Sequence, residues 1–276
     1  MQTASHKLAG TGQSIAIVPT MGALHEGHRS LIQRAAAKAD VVVTTIFVNP
    51  AQFGPEEDLR KYPRVERRDL RLIKAAFGEQ HERSIVFIPK AGEIYPGGFQ
   101  SWVTVEGLTK SLEGKRRPTH FRGVTTIVAK LFNIVRPDVA LFGMKDYQQA
   151  VVLKRMTSDL DYPIKFIIAP TVREPDGLAM SSRNAYFDES QRREAVGLYY
   201  SLRTAAGMSA SGFTSAAKIE KEMRSVIKSH CPSAKVNYIA FTEFGSLKPI
   251  KRIKKGAVCS LSVKVHGVEL IDNLRF

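Results

Sequence analysis

The chain has 276 residues, 43% apolar and 24% charged, a balance that excludes a largely disordered polypeptide and leaves room for one large domain beside a smaller one. Its 41 basic against 26 acidic residues give a net charge of +15, which draws anionic ligands. No apolar run approaches the ~20 residues that span a bilayer, and the two cysteines, Cys231 and Cys259, stand far apart in a pattern that fits a reducing cytoplasm better than a disulfide framework.

The first dozen residues are polar, with no apolar signal core and no convincing first helix, so a cytoplasmic location is expected. Ser14 to Val18 is a short β-branched run of the kind found in buried parallel strands, and Pro19 is expected to end it. From Gly27 onward Leu31, Ile32, Ala35 and Ala36 recur at helical spacing, which puts His28 near a helix N-terminus. Unpaired amides and the helix dipole favour a phosphate there.

Val41 to Val48 is a second buried strand, and the loop Asn49–Pro55 follows at its C-terminal end, where ligands bind in open α/β sheets. A helix is expected from about Val65, with strands at Ile85–Ile88 and, at an edge, Trp102–Val105. Gly123–Val135 reads as a helix, Val139–Phe142 as a core strand opening into another helix, and Ile164–Ala169 as the strand that closes the sheet. Past the turn Pro175-Asp176-Gly177 come two helices, about 190–210 and 215–230, and strands at 236–241, 257–265 and 269–271. The expected fold is therefore α/β, a Rossmann-like parallel-sheet domain over 1–174 with a smaller α+β domain over 175–276. The basic run Lys248–Lys255 reads as a solvated turn, since no aromatic residues interleave to stack bases.

His25 and His28 stand three apart around Gly27, so both rings can reach one ligand, and Gly27 lets it approach the backbone. Zinc is the poorer reading, because no third or fourth ligand stands at a usual spacing. His-x-Gly-His resembles the signature of the nucleotidyltransferase superfamily. Four stretches together are more specific: Pro-Thr-Met-Gly-Ala-Leu-His-Glu-Gly-His at 19–28, Phe-Val-Asn-Pro-Ala-Gln-Phe-Gly at 47–54, His-Phe-Arg-Gly and the helix after it at 120–133, and Met-Ser-Ser-Arg-Asn at 180–184. With Phe-Gly-x-Lys-Asp-Tyr-Gln-Gln at 142–149 and Leu-Ile-Asp-Asn at 270–273, the chain resembles the pantothenate synthetase (pantoate:beta-alanine ligase) family over nearly its whole length.

The resemblance implies a two-step ligation through pantoyl adenylate, with ATP as substrate and Mg²⁺ as its counter-ion. It implies that His25 and His28 bind ATP phosphates, that Met21 and Gly27 pass close to nucleotide and acyl group, and that Lys145, flanked by Gly143 and Asp146, acts on the α-phosphate. Ser181, Ser182 and Arg183 resemble the family's second phosphate-binding element, and Val172 is carried over as a nucleotide contact. Gln52 and Gln149, with Asn49 nearby, match the amides that bind pantoate; Tyr62 and Asp69 match positions near substrate or metal, Asp69 being the metal candidate. The implied partners are pantoate, β-alanine, ATP and a second copy in a homodimer, with neither membrane nor nucleic acid expected.

Three departures stand out: Met144 where the family commonly has Glu, Arg68 where some relatives have an acidic neighbour of Asp69, and the divergent segment before Ile15. The alternative is a nucleotidyltransferase of the same superfamily acting on a small phosphorylated acceptor. The Gln52 and Gln149 pair argues against it, because neutral amides suit a hydroxy acid better than a phosphate.

Overall fold

The computed structural model describes residues 1–55 and 57–276. The chain divides into two compact units, one of Met1–Gly143 with Val152–Pro170 and one of Met144–Val151 with Thr171–Phe276. Compared with a cut after residue 174, Met144–Val151 and residues 171–174 fall with the later residues.

The first unit carries, in chain order, α1 (Gln2–Gly10), β1 (Ile15–Thr20), α2 (Glu26–Ala36), β2 (Val41–Ile46), α3 (Glu66–Phe77), β3 (Ser84–Phe87), α4 (Ala91–Ile94), α5 (Leu112–Arg116), α6 (His120–Val135) and β4 (Val139–Gly143). Helix α7 (Tyr147–Asp159), whose first turn belongs to the second unit, then leads to β5 (Lys165–Ala169). The five strands form one parallel sheet in the order β3-β2-β1-β4-β5. Residues of β1 and β2 are buried almost throughout, which is why these strands read as continuous apolar runs. Ala16, Val18 and Val42 from the sheet pack with Leu24, Ile32 and Ala35 from α2 and the turn before it, and with Ile73 from α3.

Four expectations need correcting. Helix α1 exists and lies against α6 and β1; its polar sequence gave no apolar stripe to announce it. Pro19 does not end β1, which runs on to Thr20. Pairing with β4 is confined to Ala16 and Ile17, so the missing N–H of Pro19 falls where that side of the strand is already unpaired. Trp102–Val105 is not a strand: Val103 donates its N–H to Thr126 Oγ1 at 3.0 Å and accepts from Thr125 Oγ1 at 2.6 Å, so hydroxyls of α6 replace a sheet neighbour. The helix expected over 190–210 is two, α8 (Glu189–Ala195) and α9 (Gly197–Ala210).

In the second unit these helices and α10 (Ala216–His230) accompany an antiparallel sheet of β6 (Lys235–Thr242), β7 (Val258–Val265) and β8 (Val268–Arg275), ordered β6-β7-β8. Leu198 and Leu202 of α9, Ile219, Met223 and Ile227 of α10, and Leu261 and Val263 of β7 share one core. Among the described residues no helix is long and apolar enough to cross a membrane.

Candidate active site

In a parallel sheet the C-terminal strand ends share one edge, and the ends of β1, β2 and β4 stand side by side at its centre. Each delivers a predicted segment: Met21–His28 after β1, Asn49–Gln52 after β2, and Gly143 at the end of β4.

His25 caps α2. Its Nδ1 accepts the N–H of Gly27 at 3.2 Å, while its own N–H donates to Nδ1 of His28 at 3.3 Å. A ring nitrogen that accepts carries no proton, so each neutral imidazole holds its hydrogen on Nε2. The rings are 4.1 Å apart between centroids and half-buried. Two Nε2–H donors beside a helix N-terminus suit phosphate oxygens.

The turn that delivers this pair has successive left-handed residues, Gly22 at φ 82° and Ala23 at φ 51°. The amides of Ala23 and Leu24 converge on Asp69 of α3: Ala23 N–H donates to Oδ2 at 2.9 Å and Leu24 N–H to Oδ1 at 2.7 Å. Asp69 is only 1% exposed, and burial pushes its carboxyl above the usual range against the pull of the two amides. Its oxygens are turned to backbone rather than to an open cation position. Among the described residues no three His, Cys, Asp or Glu gather as a metal-binding set, so the residues present do not fit the metal role expected of Asp69, and no step below is routed through a metal.

Gln52 and Asn49, predicted together, lie together. Asn49 caps the turn Pro50–Gln52, accepting from Ala51 N–H at 3.3 Å, and donates to Gln52 Oε1 at 3.1 Å and to the carbonyl of Gly123 at 3.1 Å. Gln52 Nε2 in turn approaches Met21 Sδ at 2.9 Å, so the predicted nucleotide and pantoate residues of this unit touch. Sequence reasoning missed the supports. Tyr95 donates its hydroxyl to Asn49 Oδ1 at 2.8 Å, and burial raises its pKa to about 12. His120 Nδ1 donates to the Gln52 carbonyl at 2.8 Å, with Arg117 at its other nitrogen and Glu57 bound to Arg117 at 2.5 Å. The signal for His120 lay in the His-Phe-Arg-Gly motif. Its glycine is also explained: a Cβ on Gly123 would stand 2.2 Å from the Ala51 carbonyl oxygen. Tyr62 is buried and packs edge-on against Phe53.

In the second unit Lys145 and Asp146 lie in a single 3₁₀ turn, Met144–Asp146, with Lys145 Nζ 3.5 Å from Asp146 Oδ1. Asn273 of β8, within the Leu-Ile-Asp-Asn motif, donates to the carbonyls of Met144 and Lys145 at 2.8 and 2.9 Å. Asp272 beside it is buried and takes a two-pronged contact from Arg173 at 2.7 and 3.0 Å. Gln149 is half-buried on α7. Val172 accepts the N–H of Met180, and Ser181 caps the 3₁₀ turn Ser182–Tyr186 by accepting from Arg183 N–H at 3.3 Å, so Val172 and the serine–arginine segment share one local fold.

Residues 1–275 match the family model described as Pantoate-beta-alanine ligase. The chain belongs to the pantoate-beta-alanine ligase family. It is 48% identical over 263 residues to a pantothenate synthetase of Moorella thermoacetica, covering 95% of this chain and 91% of that one, and 44% identical over 273 residues to one of Geobacter sulfurreducens, covering 99% and 94%. Among solved structures, a pantothenate synthetase from Thermus thermophilus superposes with a TM-score of 0.91 at 39% identity, covering 98% of this chain and 97% of that one. A pantoate-beta-alanine ligase from Francisella tularensis, complexed with beta-gamma ATP and beta-alanine, gives 0.78 at 32% identity, covering 99% and 95%. Like its family, the protein is a ligase with a Rossmann-like sheet. Within that family frame, Met21, His25, Gly27, His28, Asn49, Gln52 and Gly143 fall in the first unit, and Lys145, Asp146, Gln149, Val172 and Ser181–Arg183 in the second.

Proposed function

We propose that the protein joins pantoate to β-alanine in two steps, using ATP. In the first, a pantoate carboxylate oxygen attacks the α-phosphorus, an O–P bond forms, and the bond to the bridging oxygen breaks to release pyrophosphate. In the second, the neutral amine of β-alanine attacks the acyl carbon, the acyl C–O bond breaks, and AMP leaves with the electron pair while the nitrogen loses its proton. Adenylation makes a poor acyl donor reactive, so no covalent nucleophile on the enzyme is needed, and catalysis rests on placement and on stabilising phosphate charge.

The observation that carries this reading is the His25–His28 arrangement: two imidazoles at the start of α2, each held by a backbone N–H on its Nδ1. Donors fixed before substrate arrives need no reorganisation as charge builds on the phosphate. Lys145 adds a full positive charge for the α-phosphate, and Ser181, Ser182 and Arg183 supply hydroxyls and a guanidinium for the departing pyrophosphate. Gln52 and Gln149 bind pantoate through donor and acceptor groups without burying net charge, and Asn49 sets the orientation of Gln52. Met21 and Gly27 line the path of nucleotide and acyl group, with Gly143, Asp146 and Val172 on the nucleotide. Mg²⁺ enters as the counter-ion of ATP.

Incubation with ATP, pantoate and β-alanine tests the proposal by its products: pantothenate, AMP and pyrophosphate in equal amounts support it, and ADP with inorganic phosphate refutes it. The same reading makes the protein a cytoplasmic homodimer, and sedimentation equilibrium decides the dimer.

A further inference from the structure

We propose that Asp69 is a positioning residue for this reaction: its buried carboxylate holds the Gly22–Leu24 backbone in a left-handed turn and thereby sets the starting point of the His25–His28 pair. The proposal rests, for its effect on turnover, on the ligase reading above.

Successive backbone N–H groups that a turn directs toward one point make a concavity that binds anions. In many proteins such a concavity takes a ligand. Here the amides of Ala23 and Leu24 are both taken, one per oxygen, by a carboxylate from α3. Asp69 stands 46 residues away from Ala23 in sequence, so the contact ties α3 to the turn at the head of α2. Leu24, 1% exposed, anchors the far side of the turn in the core shared by α2 and α3.

The fit is close. A Cβ on Gly22 would lie 3.1 Å from Asp69 Oδ2 and 3.1 Å from Ile46 Cγ2, at a φ that L-residues avoid. Ala23 has a Cβ and adopts φ 51° nonetheless. A non-glycine residue keeps that conformation where its surroundings over-determine it; here the two charge-assisted hydrogen bonds to Asp69 act beside the Gly22 N–H bond to Thr20 Oγ1 at 3.2 Å and the burial of Leu24. His25 follows two residues later in extended conformation, φ −139° and ψ 177°, the geometry that lets its amide reach Nδ1 of His28. A change in the torsions of Ala23 therefore re-aims the first turn of α2 and both imidazoles with it.

Asn is the informative replacement, because it keeps the shape of Asp while setting an NH₂ donor against one of two backbone donors. Asp69→Asn is expected to fold, to lower the rate of the pantoate-dependent reaction about tenfold or more, and to shift the ring-proton NMR resonances of His25 and His28. Adding Ala23→Gly, which enters the left-handed region without a Cβ penalty, is expected to restore part of the rate and to return both resonances toward wild type. Wild-type rate and resonances in Asp69→Asn would overturn the proposal, as would a double variant no better than the single one. Where Asp69→Asn does not fold, Ala23→Val takes its place: a β-branched residue opposes positive φ with Asp69 intact, and unchanged His25 and His28 resonances would then overturn the proposal. If the wild-type protein shows no pantoate-dependent reaction at all, the ligase reading fails, and the resonances alone still decide the role of Asp69.

Discussion

The side-chain amide of Asn273 grips the turn that carries Lys145, donating to the carbonyls of Met144 at 2.8 Å and of Lys145 itself at 2.9 Å. A turn near the middle of the chain is thus pinned by one of its last residues. Asn273→Asp keeps the shape but turns two donors into acceptors facing two carbonyls. It is expected to lower stability by ~1–3 kcal/mol and to reduce kcat more than it raises the KM for pantoate. Denaturant melts and steady-state kinetics on the same preparation check both.

On the proposed mechanism, His28→Ala and Lys145→Ala each remove one donor or charge from the phosphate. Each is expected to cut turnover by ~10²–10³-fold while the circular dichroism spectrum and melting temperature stay close to wild type. Near wild-type rates in a folded variant would take that residue out of the mechanism.

Gly123→Ala places a methyl group where the Ala51 carbonyl oxygen stands 2.2 Å away, against the backbone peptide between Ala51 and Gln52. Overpacking of this kind costs ~1–3 kcal/mol, and because it pushes the Pro50–Gln52 turn it should raise the KM for pantoate well above its effect on ATP. Gln149→Ala should show the same selectivity without the loss of stability. Equal losses for both ligands in Gln149→Ala would place pantoate elsewhere.

Two limbs of the pH–stability profile follow from the support of Gln52. Burial opposes ionisation of Glu57, but hydrogen bonds and charge from Arg117 outweigh it and hold the carboxyl below its ordinary 4.5. A lowered folded value means stability present above that pH and lost as the pH falls through it. Tyr95 is the reverse: burial raises its phenol from 10.0 to about 12, so its contribution is full below pH 10 and declines as the pH rises toward 12. Melting temperature against pH should lose part of its acid limb in Glu57→Gln and part of its alkaline limb in Tyr95→Phe.

How far the sequence reveals this molecule depends on the range of the interaction. Strands β1, β2 and β4 and helices α2, α6 and α10 announce themselves, because burial on both faces or on one stripe writes an apolar pattern into adjacent residues. Pro19 misled because a local rule, that proline ends a strand, is overridden by which neighbour lies on which side. Trp102–Val105 misled because the partners that satisfy its backbone are threonine hydroxyls about twenty residues on.

The site divides the same way. His25, His28, Lys145, Asn49 and Gln52 sit in short motifs whose spacing and chemistry are visible in the chain. Asp69 was legible as a residue of interest but not in its task, since nothing near it in sequence says that α3 passes beneath the Gly22–Leu24 turn. Tyr95, Arg117 and Glu57 carry no motif at all; they matter through contacts of 46 to 65 residues in separation, which only the fold creates.

The most direct test of the central claim is exchange of labelled pyrophosphate into ATP with pantoate present and β-alanine absent, common amino acids serving as control acids. Reversible formation of pantoyl adenylate predicts exchange that depends on pantoate and on none of the controls. Binding of ATP without exchange in the presence of pantoate would contradict the adenylate step and with it the proposed mechanism.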